Sequence, residues 1–159
     1  MDRFYRRSRD DILFFHQTID MNILLAEDNE PEQEIMKEAF KEVKAEYEVF
    51  MVKDGIETLE FLDGKGEFHD VPKPDLIILD LNMPRKNGLE VVADIKNNPK
   101  WQHIPLLVLS NSEYSGDICR CYALGVNAYL SKPADFQGFV DLVHVIDVFW
   151  FKLVRYCPH

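Results

Sequence analysis

The chain has 159 residues, 47% of them apolar and 29% charged, a length and balance that suit one globular domain with a single core. Its formal net charge is −10 and its pI about 4.9, which argues against a direct grip on nucleic acid or an anionic membrane, since both rely on Lys and Arg. No stretch approaches the roughly 18 apolar residues of a membrane helix, and the basic start (Arg3, Arg6, Arg7, Arg9) precedes an apolar run of only residues 12–15, too short for a secretory signal; a cytoplasmic location is expected.

Residues 1–20 carry no clear pattern and read as an extension of unknown role. From there the chain alternates regularly. Residues 22–26 form a short buried strand, followed by a helical pattern over 31–43 with Ile35, Met36, Ala39, Phe40 and Val43 on one face. Pro31 suits the first turn of that helix, where its missing N–H would be unpaired anyway. A second strand over 48–52 ends at Asp54-Gly55, and a short helix with Ile56, Leu59, Phe61 and Leu62 follows. The clearest strand is 75–80, where Leu76, Ile77, Ile78 and Leu79 are contiguous, as in a parallel sheet covered on both faces. A helix over 88–97, a strand over 105–109, a helix over 116–124, a strand over 127–130 and a long terminal helix over 136–154 complete five strand–helix units. Strict alternation of this kind predicts a doubly wound parallel sheet.

In such sheets the chemistry gathers at the carboxyl ends of the strands. The first strand ends in Glu27-Asp28, the third in Asp80, the fourth in Ser110, and the fifth leads into Lys132-Pro133. Singly, each has an ordinary structural reading: Asp28 or Asn29 as a helix cap, Asp80 as a turn cap, Lys132 as a solvated lysine. Their coincidence on one rim is the stronger signal. Three carboxylates raise one another's pKa unless a cation sits among them, and an oxygen-only set with room for water suits Mg²⁺. Asp80 would then stay ionised as a nucleophile, with Lys132 and Ser110 placed to stabilise phosphoryl oxygens. The cysteines (Cys119, Cys121, Cys157) and the five scattered histidines have neither disulfide nor metal-ligand spacing and read as structural.

The segments ILLAEDNE, DGIETLEFL, PDLIILDLNMPRKNGLEVV, IPLLVLSNS and GVNAYLSKP, taken in order, resemble the signature blocks of bacterial two-component response regulator receivers, from about Met21 onward. The resemblance implies a flavodoxin-like five-stranded parallel sheet in the order 2-1-3-4-5 with five helices, an order the chemotaxis member of that family shares. It implies Asp80 as phosphoacceptor, Glu27 and Asp28 as the acidic pair that binds Mg²⁺, and Asn82 as donor of a backbone carbonyl to the metal. Lys132 matches the phosphate-binding lysine, and Ser110 and Tyr129 match the hydroxyl and aromatic of the switch. Gly88 matches the small residue that opens the third helix, and the Lys132–Pro133 bond is expected to be cis. The DLNMPRKNG block and the Phe-Trp-rich tail look most like small stand-alone regulators paired with phytochrome-type histidine kinases. Met21 would be a natural start for such a protein.

Two positions depart from the commonest pattern. Glu27 stands where Asp is more usual, so its longer arm is placed to reach a metal through water. Asn111 follows Ser110 where smaller residues are frequent, which predicts a long-lived phosphoryl group by narrowing the approach of water. The function expected is a phosphorelay switch rather than an enzyme, with no output domain after the receiver. The switch acts through the face formed by the fourth helix, fifth strand and fifth helix, with a histidine kinase as partner and without nucleic acid or membrane. The terminal helix is apolar nearly all round (Phe149, Trp150, Phe151, Leu153 and Val154 among others), which points to a homodimer through this face; folding back as extra core is the other reading. Alternatives are a receiver-like module that is not phosphorylated, disfavoured by the intact site residues, and a phosphate shuttle in a multistep relay. A dehalogenase-type hydrolase would want D-x-D on the first strand, and a flavin module would want a Ser/Thr/Gly-rich loop after it. Neither pattern is present.

Overall fold

The computed structural model describes residues 21–44 and 47–156; the expected extension over 1–20 and Cys157 lie outside them. Five strands, β1 (Met21–Ala26), β2 (Tyr47–Val52), β3 (Leu76–Leu79), β4 (Leu106–Ser110) and β5 (Ala128–Ser131), form one parallel sheet in the order β2-β1-β3-β4-β5. The helices are α1 (Glu30–Val43), α2 (Gly55–Asp63), α3 (Gly88–Asn97), α4 (Ser115–Ala123) and α5 (Phe136–Ile146). The predicted doubly wound sheet, its order and its five helices are all present.

Strand side chains alternate between the two faces of the sheet, and both faces are covered. Ile77 and Leu79 of β3, with Leu24, Leu106 and Val108, pack against Phe61, Val91, Val92, Ile95 and Cys121 from α2, α3 and α4. Leu76 and Ile78, with Ile23, Leu25, Leu107 and Leu109, meet Met36 and Phe40 of α1 and Phe139, Val143 and Ile146 of α5. The contiguous apolar run in β3 is therefore the expected signature of a strand with no wet face.

Local signals set the helix starts. Asn29 caps α1, its Oδ1 accepting from the Glu32 N–H at 3.0 Å, which leaves Asp28 to the site rather than the cap. Asp54 caps α2 through the N–H groups of Ile56 and Glu57. Asn87 and Glu90 form a reciprocal capping box at α3.

The terminal helix departs from expectation. It is α-helical only as far as Ile146 and then winds as a π-helix over Asp147–Leu153, with the Val154 N–H bonded to the Phe149 carbonyl at 3.0 Å. The wider turn re-aims the side chains. Phe151 enters the core beside Tyr47, ring centroids 5.0 Å apart, and Tyr156 and Trp150 pack on the same cluster. Asp147 is buried with Lys152 at 2.5 Å. The run is thus partly extra core, a reading less favoured from the sequence, while Val145, Val148, Phe149 and Leu153 remain exposed.

Candidate phosphoryl-acceptor site

The carboxyl ends of β1, β3, β4 and β5 converge, as the parallel sheet requires. Adjacent strands in register bring Ala26 beside Leu79 and Ser110 beside Ser131, so the residues that follow, Glu27, Asp80 and Lys132, share one rim. The Asp80 N–H bonds to the Ala26 carbonyl at 3.0 Å, tying the end of β3 to β1, and the Lys132 N–H to the Ser110 carbonyl at 3.0 Å, tying the end of β5 to β4.

At the centre lies Lys132, its side chain only 5% exposed, with Nζ 2.7 Å from Glu27 Oε2 and 2.9 Å from Asp80 Oδ2. Its third contact is Glu32, from the first turn of α1. The other oxygens of the two strand-end acids are held by the backbone: Glu27 Oε1 by the Asn29 N–H at 3.0 Å, Asp80 Oδ1 by the Asn82 N–H at 3.2 Å. Burial pushes the Glu27 carboxyl up to about 7, against the hydrogen bonds from Lys132 and the Asn29 N–H. Burial alone would lower the Lys132 pKa, yet its contacts with Glu27, Glu32 and Asp80 hold it well above the usual lysine value.

Glu27, Asp28 and Asp80 each offer a carboxylate oxygen, all within 4.8 Å of one another, with Asp28 exposed and the other two buried. Among the described residues this is the cluster whose donor chemistry, three oxygens open to solvent on one side, fits a hard divalent cation that retains waters. Ser110 is fully buried at the end of β4, its Oγ accepting from the Ser112 N–H at 3.2 Å. Tyr129 lies half-buried, its hydroxyl donating to the Ser112 carbonyl at 2.7 Å, so both switch positions meet at Ser112. Gly88 touches the acceptor's own backbone: a Cβ there would sit 2.6 Å from the Asp80 carbonyl oxygen and 2.5 Å from Leu81 Cα.

The structure therefore brings together Glu27, Asp28, Asp80, Ser110 and Lys132, with Asn82 and Tyr129 at the margin. One expectation fails. No peptide bond among the described residues is cis, so Lys132–Pro133 is trans. Lys132 already reaches the carboxylates while its N–H is bonded to β4, and trans is the form an X-Pro bond favours by roughly 0.5–1 kcal/mol.

Two participants were invisible in the sequence. Glu32 looked like an ordinary first-turn acid of the kind that complements a helix dipole. Arg85, at a left-handed φ of 62° in the loop after β3, donates from Nε to Asp54 Oδ2 at 2.6 Å and also through Nη2, strapping that loop to the start of α2.

The likeness of the chain to known proteins agrees with this geometry. Residues 23–144 match the response regulator receiver domain family, and the chain belongs to it. It is 38% identical over 132 residues to the response regulator Rcp1 of Synechocystis sp. (strain ATCC 27184 / PCC 6803 / Kazusa), which spans 83% of this chain and 90% of that protein. Among solved structures, the phosphorylated cyanobacterial phytochrome response regulator RcpA superposes with a TM-score of 0.83 at 37% identity, covering 88% of this chain and all of that one. The Mn²⁺-bound form of Rcp1 gives 0.80 at 36% identity, over 87% and 99%. The protein is a two-component receiver whose acidic pocket is compatible with phosphorylation and Mg²⁺ binding.

Proposed function

We propose that this chain accepts a phosphoryl group on Asp80 from the phosphohistidine of a sensor kinase, in a cytoplasmic relay, and acts as a switch without turnover chemistry of its own. The supporting observation is the buried ammonium of Lys132 set between Glu27 and Asp80, with Asp28 completing an oxygen-lined opening beside it. In the transfer an Asp80 carboxylate oxygen forms a bond to phosphorus as the phosphorus–nitrogen bond of the donor histidine breaks, and the imidazole keeps the electron pair. Lys132 and the Ser110 hydroxyl take the phosphoryl oxygens.

Glu27, Asp28, Asp80 and the Asn82 backbone carbonyl would hold Mg²⁺, which when bound neutralises charge on the entering group. The new dianion accepts from the Ser110 hydroxyl, whose oxygen itself accepts from the Ser112 N–H. That draws the β4–α4 loop inward and frees the Tyr129 hydroxyl from the Ser112 carbonyl, changing the face formed by α4, β5 and α5. The likeness to Rcp1 and RcpA favours a phytochrome-type kinase as donor, and the exposed apolar strip after α5 favours a homodimer through that face.

Treatment with acetyl phosphate and Mg²⁺, read by intact mass, tests the reading. A phosphoryl adduct is expected on the wild type, and it should vanish with Asp80→Asn or with excess chelator. An unmodified wild type, or an adduct that persists in the variant, would refute it.

A further inference from the structure

An ammonium has three protons to donate, and on Lys132 all three are taken: by Glu27, by Asp80 and by Glu32. The three acceptors are not equivalent. Glu27 and Asp80 belong to the acidic trio whose oxygens lie within 4.8 Å of one another, and Glu32 stands outside it. Glu32 comes from a different element, α1, where its own backbone N–H is fixed by the Asn29 cap. Its side chain is 26% exposed, against 6% for Glu27 and Asp80, so it approaches the lysine from the solvent side.

That asymmetry has a consequence once the site is in use. With a divalent cation held by the trio, Glu27 and Asp80 share their charge with it and their hold on the lysine weakens. Once Asp80 is phosphorylated its own carboxylate charge is gone, the new charge lying on the phosphoryl oxygens. Through both steps Glu32 keeps its full negative charge and its position on a helix that is not part of the strand-end loops.

Resting on the phosphoacceptor reading above, we propose that Glu32 is a latch on the phosphate-binding lysine. As a positioning residue it draws the Lys132 ammonium towards α1, away from the cation-binding carboxylates, and it competes with the phosphoryl oxygens for that ammonium.

The latch acts with opposite sign on the two ligands of the site. Without Glu32 the lysine leans fully on Glu27 and Asp80 and opposes the cation, so Mg²⁺ binding weakens. The same lysine is then unrestrained when a phosphoryl group arrives, so the anion is held more tightly. For a partly exposed ion pair each effect amounts to roughly two- to fivefold.

The experiment is calorimetric titration of the full chain, first with Mg²⁺ alone and then with beryllofluoride at saturating Mg²⁺, for wild type, Glu32→Gln and Glu30→Gln. Glu30 is an exposed acid in the same helical turn and removes the same charge. Glu32→Gln is expected to weaken Mg²⁺ and tighten beryllofluoride, and Glu30→Gln to do neither. The Mg²⁺ titration is repeated in a Lys132→Ala background, where Glu32→Gln should have no effect because the latch has nothing to hold. Equal affinities for wild type and Glu32→Gln, reproduction of the effect by Glu30→Gln, or its survival without Lys132 would each overturn the latch while leaving the phosphoacceptor reading intact. A wild type that binds no beryllofluoride would instead overturn that reading, and the latch with it.

Discussion

Asp54 is nearly inaccessible, yet it is ionised for a visible reason. Burial alone would raise its pKa, but the N–H groups of Glu57 and Ile56 and the Arg85 guanidinium outweigh that and hold the carboxyl below its usual range. A carboxylate depressed on folding contributes stability above its unfolded pKa of about 4 and loses it as pH falls through the lower folded value. Asp54→Asn keeps the cap but loses the ion pair. It should cost about 1–2 kcal/mol at neutral pH, with a gap to wild type that closes below about pH 4 when unfolding is followed by urea. A gap independent of pH would mean that Arg85 contributes no charge term. Asn111, exposed beside the buried Ser110, carries a second expectation. Trimming it to Ala should shorten the half-life of the phosphorylated protein severalfold by widening the approach of water, and an unchanged half-life would remove that role. At this scale the sequence was most informative where chemistry and topology coincide: Asp80 stands out because it follows the fully buried β3, and Lys132 because it follows β5 at the same rim of the sheet. Glu32 and Arg85 did not, because an acid in a first helical turn and a basic loop residue are common on any surface. Their partners, Lys132 and Asp54, lie 100 and 31 positions away.

The β3–α3 connection is pinned from both sides by helices that begin with glycine. A Cβ on Gly55 would meet the Lys86 carbonyl oxygen at 2.4 Å, and one on Gly88 would meet the Asp80 carbonyl oxygen at 2.6 Å. These are backbone atoms, which cannot swing aside as a flexible side chain would. Gly88→Ala should therefore cost about 1–3 kcal/mol of stability through forced backbone shifts and slow phosphorylation of Asp80 as well. A substitution that lowers neither the denaturation midpoint nor the rate of adduct formation would show that the loop yields freely. Element positions were legible because caps and periodicity agree: Asn29, Asp54 and Asn87 each stand immediately before an apolar helical pattern. The break at Asp147 was not, since Val145 to Val154 reads as an uninterrupted helix. The π-winding accompanies a tertiary contact, the packing of Phe151 on Tyr47, which in turn packs on Phe40.

Viewed as a whole, the molecule has a covered sheet and one uneven surface. Val145, Phe149 and Leu153 are 62%, 51% and 57% exposed and follow one another along α5 and the turn after it, with Phe136 at the helix start. Light scattering is expected to give the mass of a dimer, and the paired change Val145→Glu with Phe149→Glu to give a monomer with an unaltered unfolding midpoint. A monomeric mass for the wild type in both phosphorylation states would dismiss the interface. The overall topology was within reach of the sequence because strict strand–helix alternation leaves few alternatives. The division of the tail between core and surface was not, because both halves are equally apolar.

The sheet's outer strand on that side carries a further consequence. β5 is only four residues long, and the outward N–H of Tyr129 is taken by the hydroxyl of Tyr122 from α4, at 3.1 Å. An open strand edge invites backbone-to-backbone growth between copies, the route to fibres. Here that template is short and shielded by a phenol, while the helical surface next to it presents side chains. The edge therefore disfavours main-chain ladders, which would grow without limit, and leaves side chains of the helical surface beside it as the material for any contact between copies.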